Sequence, residues 1–88
     1  MRTIQLLGTE GCHLCEEAWW LLAPLSDPCQ WRIEQLDISE QDDVEQLIER
    51  YGLRLPVLRY QQHELDWPFT VEQVQQWLTS VDAAVRRR

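Results

Sequence analysis

The chain has 88 residues, 44% of them hydrophobic, and a formal net charge of −7 at neutral pH. This length suits one small domain, which we place over residues 1–85, followed by an arginine-rich end at residues 86–88. The negative charge argues against nucleic acid as a partner. No segment approaches the run of about 20 apolar residues that crosses a bilayer, so we expect no membrane contact.

The first predicted elements are a strand and a helix. Apolar residues over 3–7 point to both faces, as in a strand that is covered on two sides. Apolar residues then repeat at helical spacing over 14–25, and Pro24 marks the approximate end of the helix. Trp19 and Trp20 widen its apolar face, so we expect this helix to be well buried.

A second strand and a second helix follow. The strand is predicted over residues 31–38, and its apolar alternation slips by one residue near Gln35, which indicates a bulge. Ser39 is the expected N-cap of the helix, with acidic residues in the first turn. Gly52 is the expected stop. One apolar face of this helix is formed by Val44, Leu47, Ile48 and Tyr51.

The last part of the chain predicts a hairpin and a third helix. Residues 56–60 and 64–67 pair through a turn at 61–63, although this turn contains no Gly or Asn to supply a positive φ. Thr70 and Gln73 form a capping box at the start of the helix. Its apolar face is formed by Val71, Val74, Leu78, Val81 and Val85.

Two cysteines, Cys12 and Cys15, lie where the first strand gives way to the first helix. Thiols at positions i and i+3 can close a small disulfide, and the unpaired N–H groups of a helix N-terminus favour a thiolate at the first of them. This arrangement is typical of thiol–disulfide exchange, in which Cys12 attacks and Cys15 resolves. His13 and Leu14, between the thiols, are candidate substrate contacts, although an exposed position at the helix start also explains His13.

Other roles for the two thiols remain possible alternatives. They could be structural, or they could hold zinc or an iron–sulfur cluster, with Cys29, His13 or His63 as further ligands or with a cluster shared by two chains. Cys29, in a predicted turn at residues 28–30, is more simply explained as a small packed side chain. A non-catalytic docking module with incidental thiols is a further alternative.

The C-x-x-C motif, the element order and the Leu55-Pro56-Val57 segment together resemble the glutaredoxins. The stretch of residues 11–16, Gly-Cys-His-Leu-Cys-Glu, is most similar to the short bacterial glutaredoxin-like proteins of the thioredoxin superfamily. The resemblance covers residues 3–80. We therefore expect an α/β protein with the minimal thioredoxin/glutaredoxin fold, βαβ-α-ββ-α, whose four-stranded mixed sheet has helices on both faces.

The resemblance also carries implications for the site. It implies that Leu55-Pro56 is a cis-proline segment facing Cys12, where the Leu55 backbone pairs with a bound peptide or glutathione. It implies no bound cofactor and glutathione as a candidate reductant. Glutathione-using members carry a basic residue before the motif, an aromatic residue inside it, Thr-Val before the proline and Gly-Gly with Asp after the hairpin. The matching places here hold Thr9-Glu10, His13-Leu14, Arg54-Leu55 and residues 66–70.

Although these positions differ from those of glutathione-using members, two candidate contacts for a glutathione carboxylate remain. They are Arg54 and the N-terminus of the last helix. We predict a monomeric thiol–disulfide oxidoreductase that acts on disulfides of proteins or small molecules. A cytoplasmic location is expected, because the N-terminal apolar segment is too short for a secretory signal and three cysteines do not make a fully paired extracellular framework.

Overall fold

The computed structural model describes residues 2–25 and 31–86 of the protein. The predicted turn at residues 28–30, with Cys29, lies outside this part of the chain, as does the side chain of Val85. Two short 3₁₀ turns, Ala23–Leu25 and Ile38–Glu40, accompany the main elements. Those elements are β1 (Arg2–Gly8), α1 (His13–Leu22), β2 (Trp31–Asp37), α2 (Val44–Tyr51), β3 (Val57–Tyr60), β4 (His63–Asp66) and α3 (Val71–Arg86).

The four strands form one mixed sheet in the order β2-β1-β3-β4. β1 and β2 are parallel, whereas β3 is antiparallel to both β1 and β4. The parallel pair is joined through α1, and the antiparallel pair β3 and β4 is a hairpin, because only a tight turn separates them. The predicted element order and mixed sheet are confirmed.

The sheet separates two apolar layers, so its central strands are covered on both faces. Val57 and Leu58 of β3 show the alternation, since neighbouring residues enter opposite layers. The layer with α1 and α3 contains Ile4, Leu6, Ala18, Leu22, Ile33, Leu58, Phe69, Val74 and Leu78. The layer with α2 contains Leu7, Ile38, Leu47, Tyr51 and Val57.

The predicted bulge near Gln35 is wrong. The register of β1 and β2 runs without interruption from the pair Arg2 and Trp31 to the pair Gly8 and Asp37. The apolar alternation changes phase because β2 contributes to both layers: Ile33 belongs to the α1 layer, and Leu36 packs against the α2 layer. A strand covered on both faces needs no extra residue for this change.

The predicted N-cap at Ser39 is also wrong. Asp37 caps the 3₁₀ turn instead, accepting hydrogen bonds from the Ser39 backbone N–H at 2.9 Å and from its hydroxyl at 2.6 Å. Aspartate readily captures nearby backbone donors in this way. α2 therefore begins later, after Asp43. Of its expected apolar face, Ile48 is 52% exposed, whereas Leu47 and Tyr51 are buried.

The first helix is less buried than its two tryptophans predict. Ala18 and Leu22, one helical turn apart, are its buried residues. Trp19 is half-buried, but Trp20 is 72% exposed and Leu14 is 46% exposed. α1 touches the sheet along a narrow stripe, and Trp20 lies outside it.

Both ends of the hairpin region are defined by local hydrogen bonding and backbone shape. Tyr60 pairs with His63, so the turn contains two residues rather than the predicted three, and Gln61 takes the positive φ of 55°. The capping box is confirmed: the Thr70 N–H donates to the Gln73 side chain at 2.9 Å, and the Gln73 N–H donates to the Thr70 hydroxyl at 3.1 Å.

Within the described part of the chain, no helix has the length and apolar character needed to cross a membrane.

Candidate active site

The loop between β1 and α1 places Cys12 at the N-cap of the helix. Gly11 adopts a φ of +77°, a left-handed conformation that glycine tolerates best, and Cys12 returns to extended backbone. The Cys12 carbonyl accepts the first helical hydrogen bond, from the Glu16 N–H at 3.3 Å. The Cys15 N–H donates to the Cys12 sulfur at 3.2 Å. The Cys12 sulfur therefore occupies the position of a capping oxygen.

A disulfide joins Cys12 to Cys15. Their Cα atoms are 5.2 Å apart, and both side chains are half-buried. This separation lies within the usual range for disulfides, so the turn of helix itself brings the two thiols together. The predicted pairing of the thiols is present in the structure.

Gly8, the last residue of β1, lies beneath Cys15. A Cβ atom at Gly8 would lie 2.8 Å from the Cys15 sulfur and 3.2 Å from the Cys15 Cβ, closer than packed atoms approach. A glycine that ends a central strand is a signal of close approach by another group, and here that group is the sulfur.

The Leu55–Pro56 peptide is cis, as the family resemblance implies. Pro56 is fully buried and Leu55 is half-buried against the α2 layer. β1 and β3 pair Leu7 with Val57, so Pro56 is the next residue towards Gly8 on the neighbouring strand. This register places the proline segment at the same end of the sheet as the disulfide. A second cis bond, Trp67–Pro68, was not predicted.

The two residues between the cysteines point away from the core. The His13 side chain is 87% exposed, and its Nδ1 lies 4.0 Å from a Glu16 carboxylate oxygen. Leu14 is 46% exposed. Both are therefore accessible to a substrate that approaches the disulfide, and substrate contact by these residues stays a prediction.

An open groove of about 710 Å³ lies beside the disulfide, between α1, the end of β2 and the loop after β1. Cys12, Cys15, Trp19 and Trp20 contribute to its wall. We call it the acidic groove, because the described residues that line it include Glu10, Glu16, Asp37 and Glu40 but no arginine or lysine. This groove was not predicted from the sequence, because it is formed by residues from β1, α1 and the end of β2 that are distant along the chain.

Asp37 is held in a charged form at the edge of the acidic groove. The hydroxyl and backbone N–H of Ser39 both donate to its carboxylate and keep the pKa of that carboxyl below its usual range. The backbone of Glu10 adds a weaker contribution in the same direction. The groove therefore keeps this negative charge well below neutral pH.

Arg54, a candidate for binding a glutathione carboxylate, is already paired with two acidic side chains. Its guanidinium donates to both oxygens of Asp66, at 2.9 and 2.7 Å, and to Glu64 at 2.7 Å. Glu64 also accepts from the buried Tyr51 hydroxyl at 2.6 Å. Tyr51 and Arg54 together lower the pKa of Glu64, and Arg54 lowers that of Asp66. This network ties the segment before Pro56 to β4.

Replacing Glu64 with alanine is expected to lower the free energy of unfolding by about 1–3 kcal/mol, because the buried Tyr51 hydroxyl loses its acceptor. Urea denaturation measures the change. Glu49→Ala, at an exposed site on α2, is the matched control and should change stability by less than about 0.5 kcal/mol. Equal decreases in the free energy of unfolding of the two variants would show that the Tyr51–Glu64 contact contributes nothing to stability.

The same contact predicts a pH dependence. Groups with a lowered folded-state pKa stabilise the protein above their unfolded pKa, and this contribution disappears as the pH falls through the folded value. The stability difference between the wild type and Glu64→Ala should therefore be constant from pH 7 to 5 and shrink below about pH 4. A difference that grows on acidification would contradict the assignment.

Metal binding gains no support from the described residues. In residues 2–25 and 31–86, no three His, Cys, Asp or Glu side chains come together as a metal site. Cys29, one of the ligands considered above, lies outside these residues. The Cys12–Cys15 disulfide fits a redox role.

A mixed four-stranded sheet, with a cysteine pair at the N-terminus of the first helix and a cis-proline segment beside it, defines a protein of the thioredoxin-like fold. Residues 3–79 match the family model for the glutaredoxin-like domain (DUF836), and the chain belongs to this glutaredoxin-like family. The predicted family and fold class are thereby confirmed.

A solved structure agrees with this assignment. It is the X-ray structure of the Northeast Structural Genomics target protein XcR50 from X. campestris, which is 33% identical in sequence and superimposes with a TM-score of 0.70. The match covers 88% of this chain and 96% of the X. campestris chain. No curated protein matches the chain significantly.

Proposed function

We propose that the protein is a thiol–disulfide oxidoreductase that reduces or exchanges disulfides of proteins or small molecules through Cys12 and Cys15. The observation that carries this proposal is the placement of a disulfide at the N-cap of α1, with the Cys15 N–H directed at the Cys12 sulfur. A thiolate at this position gains the same hydrogen bond and the favourable end of the helix dipole. Membership in the glutaredoxin-like family supports it.

The cycle begins with the reduced protein. The Cys12 thiolate attacks one sulfur of the substrate disulfide, and the other substrate sulfur leaves as a thiolate. The Cys15 thiolate then attacks the Cys12 sulfur of this mixed disulfide and releases the second substrate thiolate. Two electrons pass to the substrate, each released thiolate takes a proton from water, and the protein is left with the Cys12–Cys15 disulfide. A thiol reductant reverses these steps on the protein.

The two cysteines have different surroundings, which support different roles. Cys12 lies at the helix start, where its sulfur accepts a backbone hydrogen bond. The Cys15 sulfur lies one turn further along, packed over Gly8. Glu16, next to Cys15, opposes the build-up of negative charge and moderates the helix effect. We assign attack to Cys12 and resolution to Cys15.

The reductant in this proposal is a small thiol such as glutathione, which reacts directly with the disulfide. This reaction does not require the glutathione-binding residues that glutathione-using glutaredoxins carry. Arg54 is paired with Glu64 and Asp66, and two N–H donors at the start of α3 are engaged in the capping box. The protein acts as a cytoplasmic monomer in this proposal, and the substrate meets His13, Leu14 and the Leu55–Pro56 segment.

A single-turnover experiment tests the proposal. Reduced protein is mixed with an equal amount of a peptide containing one disulfide, quenched with acid and analysed by mass spectrometry. We expect the peptide dithiol to form in the same amount as the Cys12–Cys15 disulfide, while protein oxidised beforehand leaves the peptide unchanged. Intact peptide beside fully reduced protein would instead favour the docking or metal-holding alternatives.

A further inference from the structure

We propose that the acidic groove binds a positively charged, arginine- or lysine-bearing segment of the disulfide substrate. This inference rests on the proposed function and specifies its substrate class as peptides or proteins with basic residues near the reactive disulfide. The groove and the disulfide are one continuous surface, because Cys12 and Cys15 form part of the groove wall. A segment bound there is next to the sulfur that the reaction uses.

The acidic residues of the groove favour a positively charged ligand. Acidic residues of three segments line it: Glu10 in the loop after β1, Glu16 in α1, and Asp37 with Glu40 at the end of β2 and in the turn that follows. Within the part of the chain that the structure describes, no arginine or lysine is among its lining residues. The Nδ1 atom of His13 lies 4.0 Å from a carboxylate oxygen of Glu16. Like-signed charges gathered in a concave surface raise the local concentration of oppositely charged groups.

Two aromatic side chains add a contact suited to arginine. Trp19 is half-buried in the groove wall and Trp20 is 72% exposed beside it. A ligand that covers an exposed tryptophan buries the apolar surface of its side chain, and the face of the ring attracts a guanidinium or ammonium group. The narrow contact of α1 with the sheet, which leaves Trp20 outside the core, thus has a binding role.

The groove lies on the β2 side of the disulfide. Its lining contains neither Leu55 nor Pro56, which belong to the segment leading into β3 on the other side of β1. A peptide chain can therefore place its cysteine at Cys12 and the basic residues on one side of that cysteine in the acidic groove. A volume of about 710 Å³ suits a few side chains rather than a folded domain.

The test compares three disulfide peptides that differ only in the residues flanking the cysteines, which are arginine, serine or glutamate. The second-order rate constant for oxidation of the reduced protein is measured at low and at high salt. At low salt we expect the arginine peptide to react roughly tenfold faster than the serine peptide, and the glutamate peptide to react slowest. At about 1 M salt the preference should largely disappear.

Matched variants test whether the preference for the arginine peptide depends on the acidic groove. Glu10→Gln with Glu40→Gln should reduce the ratio of the arginine-peptide rate to the serine-peptide rate several-fold. Glu45→Gln with Glu49→Gln, on α2, removes the same net charge away from the groove and should retain the preference. Trp20→Ala should slow the arginine peptide by about two- to fivefold.

A binding measurement separates the inference from the proposed function. Oxidised protein is titrated with an arginine-rich peptide that lacks cysteine, and amide shifts are followed by NMR. We expect shifts at Glu10, Trp20 and Glu40 and none for a serine-rich peptide. Equal reaction of all three disulfide peptides, or shifts elsewhere, would overturn the groove assignment while the redox function stands. No reaction with any peptide would overturn the proposed function, and the substrate assignment with it.

Discussion

Replacing Cys12 with serine will reduce disulfide exchange to the background rate, whereas replacing Cys15 with serine will preserve the first step and trap a mixed disulfide. A serine hydroxyl does not attack a disulfide at neutral pH, so no intermediate forms without Cys12. Without Cys15 the bond between Cys12 and substrate has no internal thiol to break it. With a substrate in which one disulfide joins two separate peptides, mass spectrometry of the quenched reaction distinguishes the outcomes, since only the Cys15 variant gains the mass of one peptide.

The third cysteine provides the control. Cys29→Ser is expected to exchange at the wild-type rate, because the sequence gives Cys29 no part in the motif. Circular dichroism of all three variants verifies that each is folded. Retained turnover in Cys12→Ser, or a mixed disulfide on Cys29 in the Cys15 variant, would contradict the assigned roles.

Replacing Gly8 with alanine will make the Cys12–Cys15 disulfide easier to reduce. The added Cβ would meet the Cys15 sulfur at 2.8 Å. In the reduced protein this sulfur can rotate away, but in the oxidised protein its bond to Cys12 holds it in place. Overpacking costs of about 1–3 kcal/mol therefore act mainly on the oxidised form, which raises the reduction potential by about 20–60 mV.

A second glycine separates this effect from a general loss of stability. A Cβ at Gly52, after α2, would lie 2.5 Å from the Ile48 carbonyl oxygen and far along the chain from either sulfur. Gly52→Ala should destabilise the oxidised and reduced proteins alike and leave the potential unchanged. If Gly8→Ala behaves in the same way, Gly8 has no role in positioning Cys15.

The fold could be predicted because its main signals are local. The two-sided apolar pattern of residues 3–7, the helical spacing in α3 and the Thr70–Gln73 capping box each depend on residues a few positions apart. The C-x-x-C spacing is equally local, since one helical turn brings Cys12 and Cys15 together. The disulfide at the helix start was therefore predictable from sequence.

Other parts of the site depend on contacts between distant segments. Nothing near Gly8 in sequence shows that the Cys15 sulfur will lie over it. The acidic groove joins residues of β1, α1 and β2, and Arg54 finds its acidic partners 10 and 12 residues later on β4. Trp20 was expected to be buried because helical spacing shows which residues share a face, but not how much of that face the sheet covers.

The reduction potential of the Cys12–Cys15 pair tests the redox assignment most directly. Metal-free protein is equilibrated in graded thiol–disulfide buffers, and alkylated cysteines are counted by mass. We predict one reversible transition, in which two of the three cysteines change together at roughly −200 to −300 mV, near the cytosolic glutathione poise. Thiols that stay free, or stay locked in the disulfide, across the whole series would contradict a working redox cycle.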